Sequence, residues 1–199
     1  MTITLRCWRR KIPLSYFACI FRHKGRKCVS ADLEYYADLY RIMDVEDALK
    51  LVKFASTVAT GVIAGGAIYI NLAEHPARMQ LDDVQSLHRQ WRESFDRAKY
   101  LMAGTSLLPV AGGVAAFAID QSKGKPWLIT AGLMAFNMPY TALAMKSRVI
   151  DPIYDYEVAG KMDPGKVRDT VDKWNTFHKV RTIIDLSTFA WCVYNLVYN

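Results

Sequence analysis

The residues best equipped for chemistry form a row near the C-terminus: Trp174, His178, Arg181, Asp185, Thr188, Cys192 and Asn195 follow one another at alternating intervals of four and three. At about 100° per residue this is one stripe along a helix. Imidazole takes or gives a proton near neutral pH, a guanidinium holds an anion where water is scarce, and indole offers its face to an aromatic ring. Residues of the same types, Glu74, His75, Arg78 and Trp91, occur far upstream, and Asn137 and Thr141 lie between. Glu74, His75 and His178 would also make a two-histidine, one-carboxylate set of the kind that holds non-haem iron. Adjacent Glu74 and His75 cannot both point at one ion from a regular helix, so chemistry without an organic cofactor ranks above a metal, whose presence stays open. His88 stands alone in a polar stretch read as loop. There is no GxGxxG with an acidic ribose ligand, no P-loop, no GxSxG and no zinc spacing.

The elements that must position these residues are helices of membrane length. A hydrophobic content of 52% with mean hydropathy +0.02 resembles a soluble globule, but the average conceals its parts. Phe54–Ala73, Tyr100–Ile119 and Pro126–Met145 carry no charged side chain, and the stretch from Thr182 onward carries one, Asp185. About twenty residues at ~1.5 Å each cross the ~30 Å of bilayer hydrocarbon. The sequence therefore reads as all-α, a four-helix transmembrane bundle with an N-terminal basic and amphipathic extension. Residues 1–50 form the extension and 51–199 the membrane domain, with spans at about 51–73, 99–120, 126–146 and 180–198. A soluble enzyme fold, a disordered chain and a disulfide scaffold do not fit.

With four spans, the end of the first, the start of the second, the end of the third and the start of the fourth share one membrane face. Asn71, Glu74, His75 and Arg78, then Trp91 and Arg97, then Asn137, Pro139 and Thr141, then Trp174, His178 and Arg181 occupy those ends and should meet. Asp185 is costly against lipid, so it should face inward and pair, with Arg181 or His178 nearest in sequence. Ile183, Ile184, Leu186, Phe189, Ala190, Val193 and Leu196 on the other faces suit lipid or packing. Thr57, Gly61 and Gly65 make a small-residue stripe where another helix can approach. Pro109 should kink the second span beside Thr105 and Ser106, and Asn137-Met138-Pro139-Tyr140-Thr141 should distort the third. Asp44 and Asp47 suit the cap of the first spanning helix, and Asp120–Lys125 a loop.

The net charge of +7 belongs to the tail, because Arg6, Arg9, Arg10, Lys11, Arg22, Lys24, Arg26 and Lys27 precede the first acid, Asp32. Such a tail suits a mitochondrial presequence, a patch on anionic lipid, or a solvated arm upstream of a start at Met43. Lysines and arginines flanking the spans divide almost evenly between the two faces, so orientation stays open, as does the choice between endoplasmic reticulum, other endomembranes and the mitochondrial membrane. The expected partners are membrane lipid and a lipophilic small molecule, not nucleic acid; homo- or hetero-oligomerisation stays open. Cys7, Cys19, Cys28 and Cys192 match no metal or disulfide pattern.

Gly65 through Arg78 (GGAIYINLAEHPAR), Trp91 and Phe95, Pro139-Tyr140-Thr141, Asp151-Pro152, and Trp174-x-x-x-His178-x-x-Arg181 together resemble the DUF1772 family, whose characterised members are anthrone oxygenases. The resemblance covers about residues 54–194. It implies a four-helix membrane protein and, for biosynthetic members, oxidation of a polyketide anthrone to an anthraquinone by dioxygen without a known organic cofactor. On that reading His75 or His178 is the base, Arg78 or Arg181 stabilises oxyanion charge, and Glu74, Trp91, Asn137, Thr141, Trp174 and Asp185 surround the substrate. The competing readings are a non-catalytic membrane scaffold or complex subunit whose polar helix face packs a partner, and, behind it, a proton-coupled transporter using Asp185. Detergent-extracted protein lacking residues 1–42 is expected to keep the thermal stability of the full chain; aggregation of the shortened form would place the arm inside the bundle.

Overall fold

The computed structural model describes residues 28–198, with side-chain surroundings from Val45 onward. Two compact units divide after Asp44, and the second, Val45–Asn199, carries the features below. The charged tail of the sequence reading lies almost wholly outside the described residues.

Every described element is helical. Helix α1 (Cys28–Tyr69) passes into a π-helical stretch, Ile70–Glu74, and α2 (His75–Met79). Helices α3 (Val84–Ile119) and α4 (Gln121–Tyr140) follow, and α4 widens into a second π-helix, Thr141–Ile150. Two short helices, α5 (Asp151–Tyr154) and α6 (Tyr156–Gly160), lead to α7 (Pro164–Tyr198). Because α1 is helical through Asp44 and Asp47, neither residue caps the first span.

Three segments, Val45–Met79, Val84–Ile119 and Gln121–Tyr154, are long and apolar enough to cross a membrane. Helix α7 has comparable length, 35 residues, but its polar stripe dilutes its apolar character. The surface is inverted relative to that of a water-soluble protein. Phe54, Val62, Leu101, Leu107 and Ile183 are exposed, while Ser56, Thr60, Thr130, Asp185, Thr188 and Asn195 are buried. In hydrocarbon, apolar side chains lose nothing by facing outward, whereas polar ones must find partners inside.

At 36 residues α3 is longer than the ~20 needed to cross hydrocarbon. Its charged first half packs with the end of the second π-helix, α5 and the start of α7 around Leu87, Trp91, Val149, Ile153, Val167 and Val171. Here His88 sits in the core rather than in a loop, its Nε2 2.6 Å from the Ile153 carbonyl and its ring stacked on Trp91. Arg168 ties the turn between α2 and α3, donating to the carbonyls of Met79 and Leu81 at 2.7 and 2.5 Å.

Aspartates make the sharp starts. Asp83 accepts from the N–H groups of Gln85 and Ser86 at α3, and Asp155 from those of Glu157 and Val158 at α6. The Ser86 hydroxyl holds the Asp83 carboxyl below its ordinary range, and the Val158 backbone N–H does the same for Asp155. The stability these caps give is present above the ordinary aspartate value and fades as pH falls through the depressed ones.

The loop expected at Asp120–Lys125 contracts to Asp120 alone, which caps α4. So tight a return is possible because two glycines let the backbones touch: a Cβ on Gly124 would lie 2.3 Å from the Ala116 carbonyl oxygen, and one on Gly113 2.1 Å from that of Trp127. The Thr57–Gly61–Gly65 stripe makes less of its small residues, since the Phe189 ring lies against Gly61 and nothing lies within 4 Å of a Cβ at Gly65. Phe189 is thus a packing residue. Helix α3 continues through Pro109, and Ser106 Oγ bonds the Met102 carbonyl at 2.7 Å, not the Thr105 carbonyl that the proline frees. Gly124→Ala is expected to cost roughly 1–3 kcal/mol through this clash, whereas Gly132→Ala on open surface gains up to about 1 kcal/mol of helix propensity. Thermal unfolding of the two variants in one detergent checks the contrast.

Candidate functional site

Helices α3 and α4 touch near their connection, and farther along a cavity of about 450 Å³ is lined by both. One wall is α3, with Phe95, Lys99, Met102 and Ser106; the other is α4 and the second π-helix, with Met134, Asn137, Met138, Thr141, Met145 and Lys146. Ile70 and the α7 residues Trp174, His178 and Arg181 line it as well. The distortion expected near Pro139 is the entry into the π-helix: Thr141 Oγ1 returns to the Asn137 carbonyl at 2.8 Å just where the helix widens. Wide turns of this kind recur at functional sites because they aim side chains that an α-helix would rotate away.

The stripe on α7 faces inward. Trp174, His178, Asp185, Thr188, Cys192 and Asn195 are all buried, and Arg181 is half-buried. Asp185 receives a hydrogen bond from Asn137 Nδ2 at 2.7 Å on α4, and Arg181, one of the two partners expected from sequence, answers its charge without a hydrogen bond. Asp185 Oδ2 and Arg181 Nε are each buried without a hydrogen bond. Trp174 stacks on His178 with ring centroids 5.1 Å apart and meets Trp91 edge-on at 5.9 Å.

The orientation of His178 follows from the first π-helix. Asn71 Nδ2 lies 2.8 Å from the Ala67 carbonyl, 2.5 Å from Thr182 Oγ1 and 3.3 Å from His178 Nδ1. A backbone carbonyl can only accept, so the amide nitrogen is the atom on that side, and its two hydrogens serve the two shorter contacts. The longer approach to Nδ1 sets how the ring is turned and leaves either ring nitrogen as the protonated one. The role of base expected at His178 and that of a donor to an oxygen anion are both open to this imidazole.

The upstream set closes on itself. Arg78, fully buried, donates to Glu74 Oε1 at 2.5 Å, to Ser94 Oγ at 3.3 Å and to Gln90; Ser94 and Gln90 also donate to Glu74. The Arg78 guanidinium lies 5.9 Å from the Trp174 ring and so supports the cavity wall from behind. His75 is engaged by Asp172 at 3.1 Å, and Trp91 is wholly buried behind Trp174. Of the ten residues singled out from sequence, Asn137, Thr141, Trp174, His178 and Arg181 reach the cavity; Glu74, His75, Arg78, Trp91 and Asp185 stand outside its lining. Arg97 pairs with Glu93 on the surface. Glu74 and His75 are thus held by different partners, and among the described residues no group of three histidine, cysteine or carboxylate side chains could hold a metal ion.

Sequence reasoning missed Lys99 and Tyr154, both on the cavity wall. Asp96 accepts from Lys99 at 2.6 Å and from Tyr154 OH at 3.0 Å, while Arg92 bonds Asp96 at 2.7 Å and stacks on the Tyr154 ring at 3.5 Å. The spacing of Arg92, Asp96 and Lys99 on one helix face was the available signal.

The helices and cavity define a class first: an all-helical membrane protein with an apolar chamber floored by polar side chains. A family profile described as anthrone oxygenase matches residues 91–191, and the chain belongs to that family. The matched range holds every notable cavity side chain of α3, α4 and α7, and leaves Glu74, His75 and Arg78 outside. No curated protein and no solved structure matches significantly.

Asp185→Leu is expected to destabilise the protein by about 2–4 kcal/mol, because it strands Asn137 and leaves Arg181 without a nearby anion. Ile183→Leu on the exposed face should change stability by less than about 0.5 kcal/mol. Denaturation in mild detergent compares them, and equal tolerance would mean that the stripe contributes nothing to packing.

Proposed function

We propose that α7 is a fourth membrane span and that the protein oxidises a lipophilic, anthrone- or quinone-like aromatic substrate with dioxygen inside the cavity. The observation that carries this reading is the cavity itself, about 450 Å³ of mainly apolar space ending on His178, Trp174 and Arg181. That volume lies within the ~300–1,000 Å³ typical of small-molecule sites. The closed Glu74–Arg78–Gln90–Ser94 group is what a purely structural subunit would show, but such a subunit has no use for an open chamber beside it.

In the proposed reaction one dioxygen is consumed per substrate. One oxygen atom becomes the new ring carbonyl, and the other leaves as water with the two methylene hydrogens. Loss of the first proton converts the ketone into an enolate whose carbon reacts with dioxygen. In this reading His178 takes the tautomer protonated on Nε2 and donates to that enolate oxygen, Arg181 adds positive charge in the same space, and Trp174 offers a ring face to the planar substrate. The methylene proton passes to solvent at the rim. Met138, more than half exposed on α4, gives the chamber an edge facing lipid, the side from which a lipophilic substrate arrives.

Purified protein in nanodiscs supplied with unsubstituted anthrone is expected to consume oxygen and form anthraquinone faster than empty nanodiscs. His178→Ala should lower that excess rate by about 10²-fold, the usual effect of losing one oxyanion donor. His75→Ala, outside the lining, should retain most of it. Rates equal to those of empty nanodiscs would overturn the oxygenase reading, and an unchanged His178→Ala rate would overturn the role of the imidazole.

A further inference from the structure

The cations on the cavity wall are unequally supplied with hydrogen-bond acceptors. Lys99 is answered by Asp96 and Tyr154, but Arg181 and Lys146, both on the lining, make no ion pair or hydrogen bond to any described residue. Arg181 is the more demanding of the two. It is half-buried on an inward stripe, its Nε is shielded from solvent without an acceptor, and Asp185, whose charge favours the guanidinium, bonds Asn137 through Oδ1 and makes no hydrogen bond to Arg181. Asp151 is the remaining acid on the lining; it is exposed and pairs with neither cation. A cation held in so dry a place without an acceptor is costly, and a ligand anion would relieve that cost.

The kind of anion follows from the donor. A guanidinium presents a planar fork that matches the two oxygens of a carboxylate, whereas Lys146, a single ammonium at the rim, adds charge without geometry. Apart from Asn137, Thr141 and His178, much of the lining that Arg181 shares is apolar or aromatic, with Met134, Met138, Met145, Phe95 and Trp174. We infer that the ligand of this cavity is an aromatic acid, bound in its ground state with an ionised carboxylate on Arg181 and its ring system against Trp174 and the methionines. This rests on the aromatic-substrate reading above and narrows it. An enolate forms only during reaction, whereas a carboxylate is present from the first encounter and selects the substrate before any chemistry begins.

The test uses two planar probes of product shape that differ in charge alone, anthraquinone-2-carboxylate and anthraquinone-2-carboxamide, titrated into the full-length protein in nanodiscs with tryptophan fluorescence as readout. The wild type should bind the carboxylate at least about tenfold more tightly, the least expected of one charge-assisted pair. Arg181→Gln should bring the two affinities together, Arg181→Lys should keep part of the preference, and Lys146→Gln on an exposed side chain should lower it only severalfold. Equal binding of both probes by the wild type would overturn the inference while leaving an aromatic site standing, and that comparison needs no variant to fold. Binding of neither probe would overturn the aromatic-substrate reading along with it. A preference that survives in Arg181→Gln would show that the acid is recognised elsewhere.

Discussion

The organising constraint of this protein is that α7 buries Asp185, Thr182, Thr188, Asn195 and His178, polar side chains that must each find a partner once removed from solvent. Helix α7 can do so only with its stripe turned toward neighbours that supply donors and acceptors. Asn137 answers Asp185, Asn71 answers Thr182 and His178, and Thr130 lies 3.4 Å from the sulfur of Cys192. These contacts fix the rotation of α7 about its axis, and with it the direction in which Trp174, His178 and Arg181 point. The chamber inherits its floor from a packing requirement.

Its width has a different origin. Two antiparallel helices joined by one residue and pressed together at Gly113 and Gly124 cannot separate near their connection. The cavity lies farther from the connection, where Ala98, Met102 and Ala103 of α3 face Met134, Met138 and Ala142 beside the larger Phe95 and Trp174. The π-helical turns at Ile70–Glu74 and Thr141–Ile150 lie at this end, one beside the floor and one in the wall.

Much of this was legible in the order of residues. The charge-free stretches located three membrane-length helices, and the alternating four-three spacing of α7 identified its inward face, because both signals are one-dimensional consequences of bilayer thickness and helical pitch. The division of the candidate residues was not legible. Glu74, Arg78, His178 and Arg181 look alike as polar side chains at helix ends, and only packing shows that the first two answer each other while the last two reach the cavity. His88 was misread for the same reason: a histidine among charged neighbours resembles a loop residue until the short helices α5 and α6 cover it. Lys99 and Tyr154 escaped notice because their meeting depends on the fold of the segment after the second π-helix, which has no periodicity long enough to read.

The length of that second π-helix gives the site an arithmetic sensitivity. A π-turn holds a residue more than the three to four of an α-turn and turns less at each one, so the surplus is taken up within Thr141–Ile150. Deleting one residue there would let the segment close into an ordinary helix while the side chains beyond it kept much of their aim, because the larger step per residue offsets the missing one. The wall would lose the place that only the wide turn provides, so in this segment the count of residues matters as much as their identity.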